Sequence, residues 1–253
     1  MSTPYLPGKF VWYEFLTQDI DKAIEFYDRL FGWHSSYVSM GGGEPYPMIN
    51  NADQGIGGYR KGPPGVKSHW VSYLSVPDVD AAHSAAVAAG CRIMMAPTNF
   101  SPVGRAAAMA DPTGATFCVW RGNNGDPPDV EKTPMGSWFW NELWTSDDRK
   151  ALDFYETMFG FNHEAMHMGP TTYYMLRKGD LPRAGLCQAV NAEAKSMWLP
   201  YVAVPDCDST ARKVTALGGD VVSPPQDIPE IGRFAIGVDT SGAAIAFITP
   251  KSS

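Results

Sequence analysis

Residues 10–16 read FVWYEFL, a run of aromatic and aliphatic side chains interrupted by one glutamate, and this composition predicts a β-strand whose side chains alternate between two faces. One face of the strand would carry Trp12 and Glu14, and the other face would carry Tyr13 and Phe15. A glutamate beside a tryptophan on one strand face is unusual enough to need an explanation, because buried charges are costly unless they are paired.

An amphipathic helix is predicted directly after this strand. Apolar residues recur at helical spacing over residues 20–31, Asp19 suits the N-cap, and Gly32 suits the C-terminal stop. The aromatic strand face with Tyr13 and Phe15 is the natural partner for the apolar face of the helix. The glutamate is therefore expected on the opposite side of the sheet.

The same strand and helix recur further along the chain. Residues 12–32 match residues 140–160 at a shift of 128, and residues 70–90 match residues 198–218 at the same shift. The shared positions include Trp12/Trp140, Glu14/Glu142, Asp19/Asp147, Tyr27/Tyr155, Trp70/Trp198, Tyr73/Tyr201, Arg105/Arg233 and Asp111/Asp239. A constant shift over this length indicates a tandem duplication. Each copy contains two strand–helix–strands units.

The domain boundaries follow from the repeat and from a polar segment rich in Pro and Gly. Within the first unit, residues 41–45 are expected to form a loop, residues 46–49 and 55–59 strands, and residues 62–68 a connector. The predicted organisation is a first domain at 1–122 (modules 8–62 and 69–122), a linker at 123–136, and a second domain at 137–253 (modules 137–190 and 197–250).

Composition narrows the class of protein. The chain has 253 residues, a formal charge of −7, 44% hydrophobic and 19% charged residues, which is typical of a globular protein and argues against nucleic-acid binding. No apolar run approaches the length of a membrane helix, and the N-terminus lacks the apolar stretch of a signal peptide. The four cysteines form no CxxC pair, so reduced thiols and a cytoplasmic location are expected.

Three motifs, each present in both copies, carry a resemblance to a known family. They are DIDKAIEFYDRLFGW (19–33), VPDVDAAHSAAVAAG (76–90) and DPTGATFCVW (111–120). Paired βαβββ units with a final D-P-x-G hairpin resemble the vicinal oxygen chelate superfamily of glyoxalases, bleomycin-resistance proteins and extradiol dioxygenases. The resemblance implies an α+β fold in which four βαβββ modules form two tandem cup-shaped domains. The W-x-E-[FL]-x-T-x-D opening is similar to that of a tandem glyoxalase-like subgroup, which includes a mycobacterial antigen and proteins labelled hydroxylase.

In that superfamily, inward-facing strand positions bind a divalent metal. The corresponding positions here are occupied by Trp12, Val71 and Cys118 in the first copy and by Trp140, Leu199 and Ala246 in the second. Trp, Val, Leu and Ala supply no metal ligand, so no cofactor is expected. The alternative is a divalent metal on displaced ligands, with Glu14 or Glu142 joined by His69.

The cups that the resemblance implies would be lined mainly by aromatic and apolar side chains, as small-molecule pockets are. Glu14 and Glu142 are the candidate catalytic residues, because a carboxylate in a partly dry site suits acid/base chemistry. Alternatively, each glutamate bonds to a tyrosine hydroxyl, an arginine or backbone amides and only holds the sheet together. The candidate ligand-binding residues are Trp12, Tyr46, Tyr73, Cys118, Trp120, Trp140, Tyr173, Tyr201, Arg105 and Arg233. The two arginines would either clamp a substrate carboxylate or form salt bridges.

Three functions stay open at this point. The first is a metal-independent enzyme, a lyase, isomerase or hydroxylase, that acts on a small aromatic or carbonyl-bearing molecule with a glutamate as acid/base. The second is a protein that sequesters such a molecule, and the third is a metal-dependent lyase or dioxygenase. The expected partner is a small molecule rather than nucleic acid or a membrane, and the chain is expected to be a monomer or a homodimer.

Overall fold

The computed structural model describes residues 3–39, 44–168, 171–189 and 195–251. Of the loop predicted at 41–45, residues 41–43 lie outside the described residues. In the described part of the chain, no helix is long and apolar enough to cross a membrane. All four cysteines lie within the described residues, and none of them forms a disulfide bond.

The first half of the chain contains two βαβββ modules. Its elements are β1 (Phe10–Thr17), α1 (Ile20–Phe31), β2 (His34–Val38), β3 (Tyr46–Asn51), β4 (Gln54–Lys61), β5 (His69–Ser75), α2 (Val79–Ala88), β6 (Arg92–Phe100), β7 (Gly104–Ala110) and β8 (Thr116–Gly122). Both predicted helices are present.

The second half repeats this order. Its elements are β9 (Trp138–Thr145), α3 (Asp148–Phe159), β10 (Asn162–Met168), β11 (Thr171–Lys178), β12 (Leu181–Gln188), β13 (Met197–Ala203), α4 (Cys207–Ala216), β14 (Asp220–Ile228), β15 (Gly232–Val238) and β16 (Ala244–Pro250).

Each half forms one mixed eight-stranded sheet. The strand orders are β2-β3-β4-β1-β5-β8-β7-β6 and β10-β11-β12-β9-β13-β16-β15-β14, so the two sheets have the same topology. Within a module the first strand runs parallel to the last strand, as β1 does to β4 and β5 to β8, while the remaining pairs are antiparallel. The predicted α+β class with four βαβββ modules is confirmed.

Helix α1 is capped at both ends by the residues that the sequence predicts, Asp19 and Gly32. The Asp19 carboxylate accepts a hydrogen bond from the Lys22 amide at 3.1 Å, which satisfies one of the unpaired amides of the first turn. Gly32 takes the left-handed conformation, with a φ of 75°, that closes the helix. The rings of Phe15 and Tyr27 meet edge-on at 5.1 Å, which confirms that the helix packs on the Phe15 face of β1.

The chain packs into two compact units. Unit 1 consists of residues 1–12, 71–129 and 140–198, and unit 2 consists of residues 13–70, 130–139 and 199–253. In unit 1, α2 packs against α3, and in unit 2, α1 packs against α4. Each unit therefore joins modules from different halves of the repeat, and the predicted boundaries 1–122, 123–136 and 137–253 stay a prediction.

A buried hydrogen-bond chain lies in the core of unit 1. The Trp198 indole donates to the Tyr155 hydroxyl at 2.9 Å, and this hydroxyl donates to Asp111 Oδ2 at 2.9 Å. The other oxygen of Asp111 accepts from the amides of Thr113 at 2.8 Å and Ala115 at 3.1 Å. Asp111 therefore closes its own D-P-x-G turn and also binds a helix of another module.

Unit 2 contains the equivalent chain. The Trp70 indole donates to the Tyr27 hydroxyl at 3.1 Å, and this hydroxyl donates to Asp239 Oδ2 at 3.1 Å. Burial raises the pKa of Tyr27 and of Tyr155 well above the usual value, and the neighbouring aspartate raises it further. Both tyrosines therefore keep their protons and act as donors.

We expect Tyr27→Phe and Tyr155→Phe each to lower the free energy of unfolding by about 2–4 kcal/mol, because each removes a bond to a buried carboxylate and a bond from a buried indole. The measurement is urea denaturation followed by circular dichroism. Tyr37→Phe is the control, since Tyr37 is 62% exposed and a surface change typically costs less than about 0.5 kcal/mol. Losses no larger than that of the control would contradict the structural role of the two chains.

Candidate functional site

The first candidate catalytic residue, Glu14, lies buried in the middle of β1. β1 and β4 run parallel, with Glu14 opposite Gly58. The Tyr46 hydroxyl donates a hydrogen bond to Glu14 Oε1 at 2.9 Å. A Cβ atom on residue 58 would lie 2.1 Å from the Tyr46 hydroxyl oxygen, so glycine makes room for the tyrosine that bonds the glutamate.

Arg60 bonds the other oxygen of the same carboxylate. Its Nε donates to Glu14 Oε2 at 2.9 Å, and its guanidinium carbon lies 5.7 Å from the centre of the Tyr46 ring. The Glu14 side chain is 5% exposed, so this salt bridge compensates a buried charge. Both carboxylate oxygens of Glu14 are thus engaged by neighbouring side chains.

The second candidate, Glu142, occupies the same place in β9. It lies opposite Gly185 of β12, and a Cβ atom on residue 185 would lie 1.9 Å from the Tyr173 hydroxyl oxygen. Tyr173 bonds the Glu142 side chain through this hydroxyl, and the hydroxyl accepts from the Trp140 indole at 2.8 Å. The Trp144 indole donates to Glu142 Oε1 at 2.5 Å.

Protonation states at the second site follow from burial and from the charge of Glu142. Burial raises the pKa of Tyr173 well above its usual value, and the Glu142 carboxylate raises it further. The pKa of the Cys187 thiol is raised by the same two causes in the same order. The phenol and the thiol therefore stay protonated. The hydroxyl of Tyr173 is thus the donor of its hydrogen bond to Glu142.

The two glutamate sites differ at one cross-strand pair. Leu16 lies opposite Arg60 in the first repeat, and Trp144 lies opposite Cys187 in the second. The first pair supplies a cationic donor to the glutamate, whereas the second supplies a neutral indole donor. Both sites thus contain a glutamate, a tyrosine and a glycine. The neighbouring cross-strand pair differs, because it is Leu16 with Arg60 in the first site and Trp144 with Cys187 in the second.

The remaining aromatic candidates lie on neighbouring strands. In unit 1, Tyr73 of β5 lies opposite Cys118 of β8, and its ring meets that of Trp120 edge-on at 6.1 Å. In unit 2, Tyr201 lies opposite Ala246, and its ring lies 6.1 Å from Phe234. Tyr73, Cys118 and Tyr201 are buried, whereas Trp12, Trp120 and Trp140 are half-buried.

Both duplicated arginines are held by aspartates of the neighbouring helices. Arg105 makes two bonds to Asp80 of α2, at 2.8 and 2.7 Å. Arg233 makes two bonds to Asp208 of α4, at 2.6 and 3.0 Å. Arg105 pairs across the sheet with Arg121, one residue beyond Trp120, so alternation places it on the face opposite Trp120. Both guanidinium groups therefore form salt bridges, which is one of the two roles expected from the sequence. A role of these arginines in ligand binding stays a prediction.

Sequence reasoning missed four residues of these sites: Gly58, Gly185, Arg60 and Trp144. Strand alternation alone puts Leu16 on the face of Glu14, and the repeat then puts Trp144 beside Glu142. A register for β1 and β4 was needed to find Arg60, because the strand pairing decides which residue of β4 reaches the glutamate.

The metal positions of the superfamily do not fit a divalent ion in this chain. The donor set at those positions contains one possible ligand, the thiol of Cys118, among Trp, Val, Leu and Ala side chains. Within the described ranges, no group of three or more His, Cys, Asp or Glu side chains could hold a metal ion. His69, the proposed displaced ligand, lies at the start of β5 with its Nδ1 2.8 Å from the Lys67 carbonyl.

The sequence of this chain is similar to one family model and to several known proteins of about the same length. Residues 9–119 match the model of the Glyoxalase/Bleomycin resistance protein/Dioxygenase superfamily. The protein CFP32 of Mycobacterium tuberculosis, named as a glyoxylase, is 33% identical to this chain over 252 residues. The alignment covers 97% of this chain and 96% of CFP32. The anthracycline biosynthesis protein DnrV of Streptomyces peucetius is 31% identical over 262 residues, which cover 97% of this chain and 94% of DnrV.

Two solved structures share the fold. The Mn(II)-bound glyoxalase from Novosphingobium aromaticivorans superimposes with a TM-score of 0.68 at 14% identity, covering 96% of this chain and 82% of that protein. The 2,3-dioxygenase LapB from Pseudomonas sp. KL28 superimposes with a TM-score of 0.67 at 11% identity, covering 99% and 94%. The fold of two tandem glyoxalase-like domains is thereby confirmed.

We expect Gly58→Ala and Gly185→Ala to displace the tyrosine that bonds the glutamate and to lower the free energy of unfolding by about 1–3 kcal/mol. Gly62→Ala is the matched control, because a Cβ atom there would meet its nearest neighbour at 3.7 Å. The midpoints of urea denaturation compare the three variants. Equal stability of all three would show that the tyrosines do not need the space left by Gly58 and Gly185.

Proposed function

Because the chain belongs to the glyoxalase, bleomycin resistance protein and dioxygenase superfamily, we propose that it binds a small aromatic, carbonyl-bearing molecule and transfers a proton on it, with a glutamate as the acid/base. The observation that carries the proposal is the duplicated cluster of glutamate, tyrosine and glycine on the first, third and fourth strands of two modules. Glu14 and Glu142 hold the same strand position, and a tyrosine hydroxyl bonds each of them.

The chemistry of a buried carboxylate supports proton transfer. A carboxylate held by fixed donors is pre-oriented, so little reorganisation accompanies the reaction. A C–H bond next to the substrate carbonyl would break, the proton would pass to a glutamate oxygen, and the electron pair would remain as an enolate. Return of the proton to another carbon gives isomerisation, and expulsion of a β-substituent from the enolate gives a lyase reaction.

The class of ligand is supported by the neighbouring rings and by one relative. Trp140 and Trp144 each donate an indole N–H within the second glutamate site, so their rings lie beside the carboxylate network. Aromatic rings favour flat ligands through offset or edge contacts. DnrV is named for anthracycline biosynthesis, and an anthracycline is a flat, polycyclic molecule that carries carbonyl and hydroxyl groups.

A second candidate function is sequestration of such a molecule without chemical change. The ion pair between Glu14 and Arg60 favours this alternative for the first repeat, because it engages the carboxylate in the structure itself. A pure binding protein would hold an aromatic ketone and leave its C–H bonds intact.

The first test of the function is solvent-deuterium exchange into 2-tetralone, a bicyclic aromatic ketone, followed by NMR in D2O. We expect the wild-type protein to accelerate exchange over buffer and the double variant Glu14→Gln/Glu142→Gln to lose about 100-fold or more, as removal of a general base typically costs. Glu25→Gln is the control, since Glu25 is an exposed partner of Arg29. Full exchange by the double variant would end the acid/base proposal, whereas saturable quenching of tryptophan fluorescence by 2-tetralone without exchange would favour sequestration.

The metal-dependent alternative is tested by the metal content of the purified protein. Because the donor set at the family's ligand positions is mainly apolar, we expect less than about 0.1 equivalent of Zn, Ni, Fe or Mn per chain by inductively coupled plasma mass spectrometry after purification without chelator. One equivalent of a single metal, retained on dialysis, would favour the metal-dependent enzyme with displaced ligands.

A further inference from the structure

We infer that an ordered water molecule is bound inside the first repeat, between α1 and the sheet, by Asp28, Ser35 and Tyr59. Each of these side chains carries a buried oxygen atom that no group of the described residues bonds, namely Asp28 Oδ1, Ser35 Oγ and the Tyr59 hydroxyl. Buried polar atoms without a hydrogen-bond partner are rare in native proteins, and an internal water is the usual partner where the chain supplies none. Three such atoms in one module point to a shared ligand.

The three side chains lie on the same side of the sheet. Tyr59 of β4 lies opposite Phe15 of β1, whose ring packs against α1. Ser35 of β2 lies opposite Ile49 of β3. Ile49 in turn lies opposite Gly57, two residues before Tyr59 on β4. Because paired residues share a face and side chains alternate along a strand, Ser35 and Tyr59 both face α1, which packs against β2 and β4.

The hydroxyl of Tyr59 is a donor that needs an acceptor. Tyr59 is completely buried, and its ring meets that of Phe15 edge-on at 6.3 Å. Burial raises the pKa of Tyr59 well above the usual value, and the charge of Asp28 raises it further. The phenol therefore keeps its proton, and the carboxylate lies close enough to act on it. Since the two side chains do not bond each other directly, a third group is needed between them.

The carboxylate of Asp28 has the complementary requirement. Burial raises the pKa of Asp28, an effect that the neighbouring His34 opposes, so the charged form needs hydrogen-bond donors. A water molecule can donate to Asp28, accept from Tyr59 and bond the Ser35 hydroxyl, which gives the roughly three hydrogen bonds of a typical internal water. A metal cation would satisfy the carboxylate but would leave the Tyr59 proton without an acceptor. Water therefore matches the three groups better than a cation does.

The second repeat shows how the same place is filled by side chains alone. Glu156 and His163 correspond to Asp28 and Ser35 at the shift of 128, and the strand pairing makes Leu186 the counterpart of Tyr59. Nδ1 of His163 lies 2.7 Å from Oε1 of Glu156, so these two side chains bond directly. The shorter side chains of Asp28 and Ser35 make no such bond. The position of the imidazole ring in the second repeat is the expected place of the water in the first.

A high-resolution crystal structure of the full chain tests the site directly. We expect one ordered water within about 3.2 Å of the Tyr59 hydroxyl and of an Asp28 carboxylate oxygen. A direct bond between Tyr59 and Asp28, with no water between them, would overturn the inference. A divalent cation with oxygen ligands at about 2.0–2.6 Å would overturn it as well.

The sign of a stability change gives an independent test. If the hydroxyl bonds a water, Tyr59→Phe leaves that water and Asp28 short of a partner, and we expect the midpoint of urea denaturation to fall by about 0.3–0.5 M. If the hydroxyl bonds nothing, its removal relieves the cost of a buried polar group, and the midpoint stays or rises. Tyr37→Phe is the control, since Tyr37 is 62% exposed. A midpoint for Tyr59→Phe at or above that of the control would contradict a bound water.

A graft from the second repeat separates the water from the packing around it. The variant Asp28→Glu/Ser35→His/Tyr59→Leu gives the first repeat the side chains that bond directly in the second. We expect its crystal structure to contain no water at this place. Its urea midpoint should be higher than the sum of the three single changes predicts, because the new side-chain pair replaces the bonds of the water. Strictly additive losses, or a water retained in the triple variant, would overturn the inference.

Discussion

The structure depends on a hydrogen bond that a buried tyrosine donates to the aspartate of a D-P-x-G or D-T-x-G turn. In unit 1 the bond joins Tyr155 to Asp111, and in unit 2 it joins Tyr27 to Asp239. One oxygen of each aspartate closes its own turn, and the other binds a helix from a different module. A buried carboxylate is costly unless its hydrogen bonds are made, so the turn and the packing of the two modules stabilise each other.

The position of the glutamate sites follows from this packing. Tyr27 belongs to α1, and its ring packs edge-on against Phe15 of β1. Because side chains alternate across a strand, the helix fixes the face of Phe15 and thereby sends Glu14 to the opposite face. In the second repeat, α3 carries Tyr155, and Glu142 lies on β9, the first strand of the same module. The same packing that builds the core therefore also sets the direction in which Glu14 points.

Much of this architecture could be predicted from the pattern of residues. The strand at residues 10–16 and the caps at Asp19 and Gly32 are local signals, and the structure confirms them. The duplication is confirmed by the equivalent strand orders of the two sheets. Partners that depend on strand register or on helix packing could not be predicted. Asp80 and Asp208 lie in the first turns of their helices, and only the packing of helix on sheet brings them to Arg105 and Arg233.

The site itself shows why a repeat shift is not a structural alignment. The sequence repeat has a shift of 128, which pairs Tyr46 with Tyr174, yet the hydroxyl that bonds the second glutamate belongs to Tyr173. The strand pairs agree with a local shift of 127, since Gly58 lies opposite Glu14 and Gly185 lies opposite Glu142. A one-residue offset reverses the face of every side chain in a strand, so the correspondence of Arg60 with Cys187 appears only in the structure.

Duplication also separates the requirements of the fold from those of the chemistry. A feature that both repeats share, such as a glutamate bonded by a tyrosine opposite a glycine, serves the packing of the strands whether or not the site is active. A feature that differs between the repeats is released from that packing and is able to specialise. Arg60 and Cys187 meet this criterion, because they hold equivalent strand positions and differ in charge. A guanidinium interacts with a neighbouring carboxylate as a full charge, whereas an indole N–H interacts with it only as a dipole. The two sites therefore share their scaffold and differ in one donor beside the glutamate, a guanidinium in the first repeat and an indole in the second.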